Sequence, residues 1–166
     1  MLMLSKIESG DSPTKAPSEI SLEALSKEVL DRLSEKMHSR NVTATIEGSA
    51  NLTADQTMIF ELIENLVSNA IKYNKDGGSL TISIDEAANG VILKVKDTGI
   101  GIEKEHLPRL CERFYRVDKS HSKRIGGTGL GLAIVKHICV INDAELSIES
   151  EFGIGTTVTV VFSKQK

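Results

Sequence analysis

The segment GGTGLGLAIVK, residues 126–136, sets four glycines against the start of an apolar helical pattern. Glycine costs a helix about 1 kcal/mol relative to alanine, so the crowding needs a reason. One reason is a ligand that must touch bare backbone. A helix N-terminus offers free N–H groups and the positive end of its dipole, which suits phosphate. Two familiar phosphate folds are excluded by the surroundings. GxxxxGK[ST] is absent, so this is not a P-loop. No strand leads into the glycines in a βαβ unit, so it is not a dinucleotide fingerprint either. Close helix packing alone is the other reading of the same glycines.

Working upstream, the stretch 113–124 carries Arg113, Arg116, Lys119, Lys123 and Arg124 against one acid, Asp118. Such a run is either a solvated surface or a cationic flap feeding the glycines. Further back, DQTMIFELIENLVSNAIKYN (55–74) reads as a helix capped by Asp55 and running to about Tyr73. At 100° per residue, Glu64, Ser68, Glu61, Lys72, Asn65 and Asn69 share an arc of roughly 140°, and the rest is almost wholly apolar. A solvated face is one reading. The other rests on two asparagines at i and i+4. Asparagine is a poor helix former, but its carbonyl is a hard oxygen suited to magnesium, and Lys72 one turn on can meet phosphate oxygens.

Between these elements, SLTISID (79–85) and GVILKVKD (90–97) alternate and form a hairpin across Asn89-Gly90. Val91, Leu93 and Val95 take one face, and Asp97 continues their parity. Its carboxylate therefore points to the covered side, where burial costs several kcal/mol unless it is hydrogen-bonded. It either closes an Asx turn with TGIG or awaits a ligand donor such as the exocyclic amine of a purine, with Gly99 and Gly101 admitting a flat ring.

The remaining elements are an amphipathic helix from Leu22 capped by Ser21, a strand at 42–47, a helix at about 128–142 and a closing hairpin of 145–150 with 156–162 around FGIG. A long irregular stretch spans roughly 99–127, and 117–126 has few apolar anchors. Strands with one apolar face point to an α+β fold: a two-layer α/β sandwich whose mixed, mostly antiparallel sheet is covered on one face by helices. Residues 1–8 read as the tail of an upstream helix and 9–18 as a linker, so 1–18 is expected to be a remnant and 19–166 the domain.

With 166 residues, 40% hydrophobic and 26% charged, the composition is that of an ordinary globular domain, and the net charge of −3 argues against nucleic acid as a partner. Cys111 and Cys139 have no metal-site or CxxC spacing and read as free thiols. No run approaches the roughly 20 apolar residues of a membrane span.

NLVSNAIKY (65–73), DTGIGI (97–102), RFYRVD (113–118), GGTGLGLAIVK (126–136) and GIGTTV (153–158) together resemble, in order and spacing, the asparagine, glycine and phenylalanine boxes of bacterial sensor histidine kinases. The resemblance covers about 22–163. It implies the Bergerat fold shared with gyrase-type ATPases and a mobile lid over ATP. Asn69 would coordinate Mg2+, with Asn65 supporting. Lys72 and Tyr73 would contact phosphates and ribose. Asp97 would bond adenine N6, with Gly99, Gly101 and Ile102 along the base and Thr156 near an adenine-bound water. Arg116 would reach the γ-phosphate, and Gly127, Thr128, Gly129, Leu130 and Gly131 would cradle the phosphates.

By the same resemblance, LSKIESG (4–10) looks like the end of a dimerisation and phosphoacceptor domain. The partners implied are that histidine-phosphotransfer domain and a response regulator, with a monomeric fragment, a homodimeric parent, a cytoplasmic location and a membrane-anchored parent.

The sequence departs from the family at Cys111, where an aromatic residue is usual, and at INDAELSI (141–148), which lacks the usual glycines. His38, His106, His121 and His137 all lack a following acid, so none fits the phosphorylated histidine. The expected activity is protein-histidine kinase of the catalytic-domain type. A self-contained gyrase-type ATPase and a nucleotide-dependent regulatory module are the alternatives. The ATPases place a glutamate base where this chain has Asn65.

Overall fold

The computed structural model describes residues 16–113, 115 and 131–164. Its elements in chain order are β1 (Ser18–Ser21), α1 (Leu22–Arg32), α2 (Ser34–Ser39), β2 (Thr43–Gly48), β3 (Asn51–Ala54), α3 (Gln56–Lys72), β4 (Ser79–Ala87), β5 (Gly90–Asp97), a 3-10 turn (Lys104–Arg109), α4 (Gly131–Ile141), β6 (Ala144–Glu151) and β7 (Gly155–Ser163).

The main sheet has the order β2-β4-β5-β7-β6. Only β2 and β4 run parallel; the other three pairings are antiparallel. Alternation decides which face is covered. Leu80, Ile82 and Ile84 of β4, Leu93 and Val95 of β5, and Val160 and Phe162 of β7 are buried, with Ile82 facing Val95 and Leu93 facing Val160. On the opposite face Lys94 and Lys96 are exposed.

The second layer is α1, α3 and α4. Asp55 caps α3 as expected, its Oδ1 accepting from Thr57 N at 2.8 Å and Met58 N at 3.4 Å. Met58, Ile59, Leu62, Ile63, Leu66, Val67, Ala70 and Ile71 form the buried stripe of α3. Ser21 caps α1 by accepting from Ala24 N at 3.2 Å. The helix expected to run on from Leu22 has a one-residue irregularity at Leu33. Leu33 N still bonds Val29 O at 3.0 Å, and Met37 N bonds Leu33 O at 3.0 Å, so the chain continues into α2 with little change of course.

Two strands were not anticipated. β1 pairs antiparallel with β3 in a separate two-stranded sheet, Ile20 opposite Leu52. Four residues give at most two inward positions, too few for a period to register. The described part of α4 begins at Gly131; the expected start at Thr128 and the irregular stretch 117–126 lie outside the described residues. Both cysteines are free, as expected, with Cys139 buried.

Ile82 is fully buried between β2 and β5, beneath the helices. Replacing it with alanine leaves a cavity, and Ile82→Ala is expected to lower unfolding free energy by about 2–5 kcal/mol. Urea denaturation measures this, and a loss below about 1 kcal/mol would contradict the core assignment.

Candidate functional site

The site is assembled along the C-terminal half of α3. Glu61, Glu64, Asn65, Ser68, Asn69 and Lys72 are all half-buried, none fully exposed. The stripe is therefore not a freely solvated face. Arg32 of α1 meets Glu64 at 3.2 Å. The Asn65 amide nitrogen donates to the Glu61 carbonyl at 2.8 Å and lies 3.4 Å from Glu61 Oε1. Its oxygen is thereby turned toward α4. A Cβ placed on Gly131 would lie 3.1 Å from Asn65 Oδ1 and 3.7 Å from Asn69 Nδ2. The first residue of α4 thus presents bare backbone to both asparagines.

At the other side of the α3 terminus lies the loop that follows β5. Tyr73 is the C-cap of α3, and its carbonyl accepts from Ile100 N at 3.0 Å. A Cβ on Gly99 would sit 2.2 Å from that carbonyl oxygen, so only glycine allows this approach. Asn74, 2% exposed, braces the junction. Its amide nitrogen donates to Ser79 O at 3.0 Å, and its oxygen accepts from Lys75 N at 3.0 Å and Thr98 Oγ1 at 3.3 Å. Arg40 donates to the Asn74 carbonyl at 2.6 Å.

Asp97 closes the turn that its parity allowed. Its Oδ1 accepts from Gly99 N at 2.8 Å, closing the local turn, and from Thr156 N on β7 at 3.3 Å. Desolvation by burial raises the carboxyl above its ordinary value of 3.8, and the two N–H bonds from Gly99 and Thr156 work against that rise.

Gly101 adopts φ +70°, and a Cβ there would strike Glu151 O at 2.0 Å. Ile102 N donates to Ser150 Oγ at 2.8 Å, and Ser150 Oγ also contacts Gly155 O at 3.0 Å and Thr156 Oγ1 at 2.8 Å. Ser150 and Asn74 were not among the candidates read from sequence. The signal for Ser150 was present: it continues the inward parity of Leu146 and Ile148, as Asp97 continues that of Val95.

The structure brings together Asn65, Asn69 and Gly131 on one side, and Tyr73, Asp97, Gly99, Gly101, Ile102 and Thr156 on the other, with Lys72 half-buried on the last turn of α3. Arg116, Gly127, Thr128, Gly129 and Leu130 lie outside the described residues. Tyr115, from the RFYRVD segment, contacts the His106 ring nitrogen Nδ1 through its hydroxyl and lies under the Arg109 guanidinium at 4.3 Å. A cavity lined by Glu28, Arg32, Gln56, Thr57 and Phe60 lies at the opposite, N-terminal end of α3. No helix among the described residues is long and apolar enough to cross a membrane.

Known proteins share this fold. Residues 54–166 match the model of the histidine kinase-, DNA gyrase B- and HSP90-like ATPases, and the chain belongs to that family. It is 38% identical over 165 residues to the phosphate regulon sensor protein PhoR of Pseudomonas aeruginosa, covering 98% of this chain and 37% of that protein. It is 37% identical over 135 residues to the sensor histidine kinase WalK of Bacillus subtilis, covering 79% of this chain and 22% of that protein. The chain thus spans little more than a third of the PhoR relative and less of WalK. Among solved structures, the nucleotide-free catalytic domain of histidine kinase ThkA superposes with a TM-score of 0.78 at 25% identity, over 90% of this chain and 97% of that one. The α+β sandwich read from sequence is therefore the fold of histidine kinase catalytic domains.

The Asp97 shift has a measurable consequence. A carboxyl whose folded value is raised contributes stability that is present in full below its unfolded value. That contribution is lost as pH rises through the folded value. Asparagine would keep an oxygen acceptor for both N–H groups without the charge. Asp97→Asn is expected to gain stability relative to wild type as pH rises from about 4 to 7. Thermal unfolding across that range reads the difference, and a constant gap would contradict the burial argument.

Proposed function

We propose that the chain binds an adenine nucleoside triphosphate with magnesium beside the C-terminal half of α3 and donates its γ-phosphoryl group to a histidine on a separate domain. The observation that carries this reading is the pairing of two features on one helix end. The Asn65 oxygen and the Asn69 amide nitrogen face the bare backbone of Gly131, where a polyphosphate would lie, and the inward Asp97 carboxylate takes the Gly99 and Thr156 N–H groups on Oδ1, leaving Oδ2 for a donor on the base.

The residues fit the groups they would hold. The Asn69 amide oxygen is a hard donor suited to magnesium, with Asn65 beside it. Magnesium, when bound, offsets charge on the phosphates of the transferring group. Lys72 would meet phosphate oxygens and Tyr73 the ribose. Asp97 would accept from the adenine amine, with Gly99, Gly101 and Ile102 along the ring and Thr156 nearby. Gly127, Thr128, Gly129, Leu130 and Gly131 would offer backbone N–H groups to the phosphates, and Arg116 would reach the γ-phosphate. In the transfer a ring nitrogen of the acceptor histidine forms the new P–N bond as the bond from the γ-phosphorus to the bridging oxygen breaks, and ADP leaves. The nucleophile comes from outside the chain, since none of its histidines is followed by the acidic residue expected after an acceptor.

Hydrolysis is disfavoured by Asn65. Its amide cannot take a proton from water, and its nitrogen is already given to the Glu61 carbonyl. In the wider reading, residues 1–18 continue an upstream dimerisation and phosphoacceptor domain and 19–166 form the catalytic domain. The parent is then a membrane-anchored homodimer that passes its phosphoryl group to a response regulator, and this domain lies in the cytoplasm.

Incubation with γ-labelled ATP and magnesium tests the proposal. No label is expected on this chain, and label is expected on an added phosphoacceptor domain. Rapid phosphate release without that domain would favour the ATPase instead. Asn69→Ala is expected to reduce transfer at least tenfold, and Asp97→Asn to weaken ATP far more than inorganic triphosphate. Equal weakening of both ligands would remove Asp97 from base recognition.

A further inference from the structure

We propose that Ser150 is a positioning residue for base selectivity, because it fixes the Thr156 hydroxyl as a hydrogen-bond acceptor only. The inference rests on the nucleotide reading above and deepens it.

The protons around Ser150 can be counted. Ser150 Oγ has three polar neighbours: Ile102 N at 2.8 Å, Gly155 O at 3.0 Å and Thr156 Oγ1 at 2.8 Å. The backbone N–H of Ile102 can only donate, and the carbonyl of Gly155 can only accept. A serine hydroxyl has one proton to give and two lone pairs. All three contacts are hydrogen bonds in one arrangement alone. Ser150 accepts from Ile102, donates to Gly155, and accepts again from Thr156. The Thr156 proton is consumed, and Thr156 Oγ1 offers only lone pairs to its surroundings.

The same count holds for the group next to it. Asp97 Oδ1 already takes the N–H groups of Gly99 and Thr156, leaving Oδ2 as the carboxylate's second acceptor. Asp97, Ser150 and Thr156 lie at one end of the neighbouring strands β5, β6 and β7, with Ser150 directly opposite Thr156 in register. The wall they form accepts and does not donate. A purine with a 6-amino group supplies donors that such a wall satisfies, directly or through water. A 6-oxo purine turns a carbonyl oxygen toward lone pairs and leaves it unpaired, the kind of mismatch that discriminates most strongly. Asp97 supplies the charge; Ser150 ensures that its neighbour does not offset the selection by rotating a proton into the site.

The test compares ATP with inosine triphosphate, each with magnesium, by titration calorimetry on the 166-residue chain. Wild type is expected to prefer ATP. Ser150→Ala frees the Thr156 proton to rotate outward, and the ATP-to-ITP preference is expected to fall about fivefold or more. Taking the ratio within one protein cancels any general loosening of the 97–102 loop, which weakens both nucleotides alike. Thr156→Val removes the hydroxyl. In that background Ser150→Ala is expected to leave the ratio within about twofold. An unchanged ratio in Ser150→Ala, or the same change in both backgrounds, overturns the role of Ser150 and leaves the nucleotide site standing. Binding of neither nucleotide by wild type overturns the functional proposal, and this inference with it.

Discussion

Everything at the site is referenced to one backbone contact, the approach of the turn after β5 to the C-cap of α3. Ile100 N reaches Tyr73 O at 3.0 Å, and the space between exists because residue 99 has no Cβ to place 2.2 Å from that oxygen. Apolar packing holds the helix layer on the sheet, but it is non-directional. It sets the thickness of the sandwich and leaves the polar atoms of the two layers free to slide. The Tyr73–Ile100 bond, braced by the buried Asn74 and its links to Ser79 and Thr98, removes that freedom. Asn69 on the last turn of α3 and Asp97 at the end of β5 thereby keep a fixed relation, which the proposed recognition of one nucleotide at two points requires.

The inner face of the sheet changes character at the same level. Along β5 and β7 the inward positions are apolar until Asp97 and Thr156, and along β6 until Ser150. Polar groups at such positions destabilise a core unless they are bonded, and here they bond one another and the backbone. Asparagine at 97 would satisfy the same N–H groups without desolvating a charge. The presence of a carboxylate that burial opposes is therefore not explained by stability. Under the proposed function a donor on the nucleotide base accounts for it.

The legible part of this fold was the part with a period. α3, both hairpins, the Asp55 and Ser21 caps and the inward aspartate all follow from alternation or a 3.6-residue repeat. β1 and β3 have four residues each, too few to show a period, and Leu33 interrupts a helix without leaving the helical hydrogen-bond pattern. Ser150 is the instructive omission. Parity alone put it inward, but ELSIES reads as a strand ending in polar residues, and its importance lies in standing opposite Thr156, a matter of register between strands. The approach of Gly131 to Asn65 likewise joins two helices 66 residues apart in sequence, and no local pattern encodes it.

The orientation of Asn65 bears on chemistry as well as packing. With its nitrogen held by the Glu61 carbonyl, the amide turns an oxygen toward α4, and that oxygen can accept a hydrogen bond or approach a cation but cannot remove a proton from water. Glu61 has a carboxylate within 3.4 Å of the same nitrogen, so the negative charge on this stripe is directed at orienting the amide. Under the proposed function a nucleotide held there meets backbone N–H groups and cations, which stabilise a phosphoryl group, and at position 65 an amide that cannot activate water. Under that reading the site favours transfer over hydrolysis, because the reaction then waits on a nucleophile that arrives already competent. Under the proposed function that nucleophile is an imidazole, which attacks through a neutral ring nitrogen at physiological pH and asks no proton abstraction of this domain.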